Sequence, residues 1–238
     1  MASLALPWKR LAALACLCGL FGAAASLAAG PAPTSTAAKA FVPSIYWRER
    51  VSLFDVANRP AAVVMLGDSL TDRAEWRELL PAHDVVNRGI EADTTEGLLA
   101  RLPQVQALRP RAVFLMIGIN DLTSGHAVAE IVPRYRTIVN TLREGGAEVF
   151  IESVLPCSEE VTPLPDCVAQ NRKVSQLNAQ LATLARQTSA RYVDIASRMT
   201  GQRGLRRAYT LDGQHLTGAG YVVWRDVVAP LMPASPGQ

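Results

Sequence analysis

Histidine is scarce in this chain, with three residues in 238. They stand apart at 83, 126 and 215, and no Cys-x-x-Cys pair accompanies them, so no ligand spacing for a metal ion can be read. We therefore expect no metal site. An excess of one charge is also missing. The formal net charge is +3 at pH 7, far from the strongly basic face that nucleic-acid binding needs. No apolar run has the about 20 residues of a membrane span, and no internal repeat or change of composition marks a second domain. Cysteine is limited to four residues, and two of them, Cys16 and Cys18, fall ahead of residue 30.

What is present begins with a leader. Lys9 and Arg10 precede an apolar run, Leu11 to Ala25, and small residues then offer Ala-x-Ala cleavage between Ala25 and Ala29. A basic head, an apolar core and a small-residue exit make residues 1–29 a secretory signal peptide. Its two basic residues leave with it, so the mature protein carries a net charge near +1. Residues 30–40, rich in Pro, Ser, Thr and Ala, read as a linker, and residues 41–238 as a single domain. Hydrophobic residues make up 49% of the chain, enough to fill the core of one sizeable α/β domain. Cys157 and Cys167 remain after cleavage. An even pair in an exported chain predicts one disulfide, worth about 2–3 kcal/mol. Arginine greatly outnumbers lysine, which points to a GC-rich bacterial genome. With the leader and the expected disulfide, that makes a periplasmic or secreted protein the expectation.

Strands and helices alternate along the domain. Ala62 to Leu66 is an apolar run suited to a buried strand, and the helical pattern of Ala74 to Leu80 follows. A helix over Ile45 to Ala57 precedes the run. Further strands are expected at Asp84–Asn87, Arg111–Ile117, Ala147–Val154 and Arg191–Ile195. Helices are expected from the Asp93–Glu96 cap through Leu102, with Pro103 kinking or restarting the chain, and over 127–144, 168–188 and 219–229. Pro156 to Cys167 reads as a long loop and Arg198 to Tyr209 as an irregular basic one. Such alternation implies a parallel sheet with helices on both faces, and in such sheets the active crevice lies beyond the carboxyl ends of the strands.

Three polar turns fall at those ends: Gly67-Asp68-Ser69, Asn87-Arg88-Gly89 and Gly118-Ile119-Asn120-Asp121. A fourth piece, Asp212-Gly213-Gln214-His215, comes just before the last helix. Together they hold what acyl transfer needs. Ser69 supplies a nucleophile, His215 a base that returns the proton to the leaving group, and Asp212 an orienting carboxylate. The N–H groups of Ser69 and Gly89 and the Asn120 amide are candidates for an oxyanion hole, with Gly89 leaving substrate a clear approach.

These blocks resemble the GDSL/SGNH hydrolases: Gly-Asp-Ser-Leu at 67–70, the glycine block at 89, Gly-x-Asn-Asp at 118–121 and Asp-x-x-His at 212–215. The resemblance runs from about Ala61 to Leu231. It implies a flavodoxin-like three-layer α/β/α sandwich with a five-stranded parallel sheet, order 2-1-3-4-5, and ester hydrolysis without metal or cofactor. The run Val86 to Ile90 followed by Asp93-Thr94-Thr95 is most similar to the branch of platelet-activating-factor acetylhydrolase catalytic subunits and bacterial carbohydrate O-acetylesterases. Two glycines usually precede the Asp-Thr-Thr there, where this chain has Glu91-Ala92.

The function expected is that of an exported serine esterase removing short acyl groups, acetyl above all, from a carbohydrate or small ester through an acyl-serine intermediate. Two alternatives use the same residues: a lipid-directed esterase, lysophospholipase or thioesterase, and an acyltransferase acting on polysaccharide. No substrate-binding residue beyond the triad and oxyanion donors can be named. Among the other polar residues, Asp68 and Asp121 are expected to hold loop backbone, and Asp93 and Glu96 to cap a helix. Trp76 is equally at home in a cleft wall or a core. His83, His126 and the arginines at 203, 206 and 207 are expected in solvent.

Overall fold

The computed structural model describes residues 41–161 and 166–234. The signal peptide and linker expected over residues 1–40 lie outside the described residues. Five parallel strands form one sheet: β1 (Val63–Gly67), β2 (Val85–Gly89), β3 (Ala112–Met116), β4 (Glu148–Glu152) and β5 (Arg191–Val193). Their spatial order is β2-β1-β3-β4-β5, as expected. β1 pairs in register with both neighbours, so Gly67 lies beside Gly89 and Met116 at one end of the sheet. That register brings the three polar turns to a common edge.

The central strands are apolar throughout because helices cover both of their faces. Val64 and Leu66 of β1 and Val113 and Leu115 of β3 face one core. There they meet α4 (Thr95–Ala107), α5 (Ile119–Thr123), α6 (Val128–Glu144) and α7 (Cys167–Thr188). Val63, Met65, Ala112 and Phe114 face the opposite core, against α2 (Ser69–Asp72), α3 (Trp76–Leu79), α8 (Ala196–Met199) and α9 (Gly218–Val228). Phe114 and Phe150 stack in that second core at 4.3 Å, and Trp76 meets Trp224 edge-on at 5.0 Å. Trp76 is thus a core residue. α1 (Ile45–Val56), capped by Ser44, packs Trp47 and Phe54 on Ile90 at the β2 edge. Among the described residues no helix is long and apolar enough to cross a membrane.

Several boundaries differ from the sequence reading. The helical segment after β1 starts at Ser69 itself, because Asp68 caps it, and it breaks before α3. α4 runs unbroken through Pro103, which sits on the exposed face of the helix. The cap of α4 is Thr94, whose side chain accepts from the Gly97 N–H at 3.2 Å. The basic stretch after β5 is ordered into α8, a two-residue hairpin (β6, Thr200–Gly201; β7, Gly204–Leu205) and a 3-10 turn at Arg207–Tyr209. Its exposed arginines spend donors on backbone: Arg203 reaches the Glu159 carbonyl and Arg206 that of Thr200. Cys157 and Cys167 are joined by a disulfide, with Cα atoms 5.9 Å apart.

Candidate active site

β1 delivers its last residue, Gly67, to the sheet edge, and the chain turns at Asp68. The Leu70 N–H donates to Asp68 Oδ1 at 3.1 Å. This bond starts α2 with Ser69 as its first residue, so the Ser69 N–H has no intrahelical acceptor. Burial pushes the Asp68 carboxyl up to about 7, opposed by the Leu70 N–H and reinforced by the charges of Asp93 and Asp121. The turn after Ser69 is tied down from three sides. Asn87 donates to the carbonyls of Thr71, Asp72 and Ala74, Trp76 Nε1 to that of Thr71, and the Tyr221 hydroxyl to that of Leu70.

His215 comes from the loop ahead of α9. Its Nε2 lies 3.2 Å from Ser69 Oγ and its Nδ1 2.6 Å from Asp212 Oδ2. Asp212 also shapes the loop, since its Oδ1 accepts from the backbone N–H groups of Gln214 (2.9 Å) and His215 (2.8 Å). Partial burial works to raise the Asp212 carboxyl, but the His215 ring and those two N–H groups prevail and hold it well below the ordinary carboxylate range. The disulfide-bearing loop braces the same turn, as the Ser158 N–H donates to the Gly213 carbonyl at 2.7 Å. Ser69, His215 and Asp212 therefore form a continuous hydrogen-bonded relay, though they come from opposite ends of the domain. Among the described residues no cluster of His, Cys, Asp and Glu is arranged to hold a metal ion.

Asn120, at the start of α5, donates from Nδ2 to the Asp93 carbonyl at 2.9 Å. Asp121 fixes this helix start by accepting from the Thr95 N–H (2.9 Å) and hydroxyl (2.5 Å). Gly89 needs correcting as an oxyanion donor. Its N–H is taken by the Asn87 carboxamide at 2.8 Å. The glycine is required because a Cβ there would lie 2.1 Å from the Asp72 nitrogen, not because substrate must pass. The residue that the sequence reading missed is Ala92. Its N–H has no partner among the described residues, it adjoins Asp93, and it holds a left-handed φ of +60°. The Glu91-Ala92 pair, where glycines were expected, was the available signal.

Two further expectations change. Asp93 is not a helix cap but a fully buried carboxylate, and His126 is buried beside Glu130 rather than solvated. His83 is half-buried.

A model of the GDSL-like lipase/acylhydrolase family matches residues 65–223, the span from β1 into α9 that holds every residue of the relay. The chain belongs to that family. Like other GDSL acylhydrolases it is a hydrolase acting on ester bonds. Platelet-activating factor acetylhydrolase IB subunit alpha2 of Rattus norvegicus is 27% identical over 177 residues, covering 71% of this chain and 75% of that protein. Two solved structures share the fold. A GDSL-like lipase from Bacteroides thetaiotaomicron aligns with a TM-score of 0.69 at 22% identity, over 78% of this chain and 96% of its own. A catalytic mutant of an acetylxylan esterase from Geobacillus stearothermophilus aligns with a TM-score of 0.59 at 18% identity, over 75% and 96%.

Ala92 holds its positive φ without the freedom of glycine. A Cβ in the left-handed region costs about 1 kcal/mol, which glycine avoids. Ala92→Gly should therefore raise the unfolding free energy by about 0.5–1 kcal/mol, read from urea titrations at constant slope. No gain would mean that the surrounding contacts already relieve the strain.

Proposed function

We propose that this acylhydrolase is an exported serine esterase that removes short acyl groups, chiefly acetyl, from a carbohydrate or other small ester. The observation that carries the chemistry is the relay Asp212–His215–Ser69, at 2.6 and 3.2 Å. Ser69 Oγ attacks the ester carbonyl while His215 Nε2 takes its proton. The carbonyl oxygen becomes an oxyanion, held by the Ser69 N–H, the Asn120 amide and, in place of Gly89, the Ala92 N–H. Collapse breaks the ester bond, and His215 protonates the departing alkoxide. Water then repeats the sequence on the acyl-serine, with His215 again as base, and releases the acid.

Two features support the finer parts of the reading. Both the platelet-activating factor acetylhydrolase and the acetylxylan esterase are named for acetyl esters. The leader pattern over residues 1–29 and the Cys157–Cys167 disulfide both suit export into an oxidising compartment, the periplasm or the medium.

Hydrolysis of p-nitrophenyl acetate and octanoate by the mature protein, beside Ser69→Ala, tests this. The acetate ester should be preferred, and Ser69→Ala should lose about 10⁴-fold or more in kcat. An octanoate preference would favour a lipid-directed esterase, and acylated sugar formed in the presence of an acceptor would favour transfer. Wild-type rates in Ser69→Ala would overturn the mechanism.

A further inference from the structure

Behind the proposed oxyanion donors lies a buried ion pair that the reaction itself does not use. Arg101 on α4 is 2% exposed and Asp93 is fully buried. Arg101 Nε donates to Asp93 Oδ2 at 2.8 Å, and its Nη2 reaches the same oxygen at 2.8 Å. Nη2 also donates to the Gly67 carbonyl at 3.1 Å. That carbonyl ends β1, two residues before Ser69, and also accepts the Ile90 N–H at 3.1 Å. Asp93 is held on its other side by Trp47 Nε1 (3.1 Å) and the Thr94 N–H (3.0 Å). Its backbone N–H donates to the Ile90 carbonyl and its own carbonyl takes the Asn120 amide. Within α4, Gly97 leaves room for this carboxylate, since a Cβ there would lie 2.1 Å from Asp93 Oδ1.

A buried ion pair is a poor device for stability alone, because desolvation offsets most of its attraction and an apolar pair would pack α4 as well. What it adds is direction. The planar guanidinium spans two acceptors at fixed angles. Those acceptors belong to the segments that carry Ser69 and Ala92, and Asn120 is tied to the second through its bond to the Asp93 carbonyl. We infer that Arg101 is a positioning residue which, through Asp93 and the Gly67 carbonyl, sets the mutual spacing of the three oxyanion donors. The inference rests on the oxyanion assignment proposed above.

Arg101→Lys tests it, since lysine keeps the charge opposite Asp93 but lacks the fork that also reaches Gly67. On p-nitrophenyl acetate, kcat should fall about 10–100-fold with KM within about twofold, the size of loss that a misplacement of up to about 1 Å produces. Val139→Ala, a buried cavity in α6, serves as the stability control: it should lower the melting temperature and leave kcat per folded molecule unchanged. Asn120→Ala should lower kcat about 10²–10³-fold, and adding Arg101→Lys to it should cost less than the two losses multiplied. Should Arg101→Lys fold poorly, Asp93→Asn must show the same split. A kcat within twofold of wild type in a folded Arg101→Lys, or fully multiplicative losses in the double variant, would overturn the inference alone. An Asn120→Ala enzyme with wild-type kcat would remove the oxyanion reading beneath it.

Discussion

Replacing Asp212 by Asn is expected to lower kcat on p-nitrophenyl acetate about 10³-fold while leaving the melting temperature within a few degrees of wild type. The two oxygens of Asp212 do different work. Oδ1 accepts the N–H groups of Gln214 and His215 and so shapes the loop; Oδ2 faces the His215 ring. Asparagine can keep its oxygen on the loop, which places its amide nitrogen against His215 Nδ1. A donor there forces the proton onto Nε2, the atom 3.2 Å from Ser69 Oγ, and a protonated Nε2 cannot accept the serine proton. The loss should fall short of the about 10⁴-fold seen where such an acid is buried, because the Asp212 side chain is 54% exposed and water screens it. Asp212→Ala removes both functions, so it should match the loss in kcat and also lower stability. Steady-state kinetics beside thermal melts separate the two variants. A kcat for Asp212→Asn within tenfold of wild type would mean that His215 keeps its tautomer without the carboxylate.

The parts of this site that could be read from sequence are those carried by local runs. β1 and β3 are legible because strands covered on both faces must be apolar without a break, and the turns that end them then fall at one edge. Asp212 and His215 are legible because they stand three positions apart in one loop. The parts that could not be read are decided by contacts across the fold. Nothing in the neighbourhood of residue 93 says that its carboxylate will be met by an arginine one face further along α4 and by Trp47 from α1. The Gly89 N–H looks free in the sequence, and only the folded turn shows that the side chain two residues earlier claims it. The hairpin at 200–205 pairs two residues with two, too few for any alternation to register. His126 follows Gly125 in a polar stretch, yet the entry to α6 covers it.

Glu152 carries the second large effect, on stability rather than rate. It ends β4 fully buried, with Oε1 accepting from Trp224 Nε1 at 2.8 Å and Oε2 without a hydrogen-bond partner among the described residues. Burial pushes its carboxyl from the ordinary 4.5 up to about 8, and the Trp224 donor only partly opposes this. In the unfolded chain the same group ionises near 4.5. Between pH 4.5 and 8 the native state therefore holds a proton that the unfolded state has released, and stability falls as pH rises, by at most about 1.4 kcal/mol per unit for this one group. Below that window both states are protonated and Glu152 contributes no pH dependence; above it both are ionised and the loss levels off. Glu152→Gln keeps an oxygen for Trp224 and removes the titration. Its stability relative to wild type should thus climb by roughly 4 kcal/mol between pH 4.5 and 8, which for a domain of this size is about 10 °C in melting temperature. The raised carboxyl of Asp68 gives a slope of the same sign, but both proteins share it, so the difference between them isolates Glu152. Paired melts at pH 5 and 8 are sufficient, and a difference in melting temperature that stays constant between them would show that Glu152 ionises in the fold as readily as in the unfolded chain. Such an ionised carboxylate, in contact with Trp224 and through it with Trp76, would need a compensating donor on Oε2 within the second core.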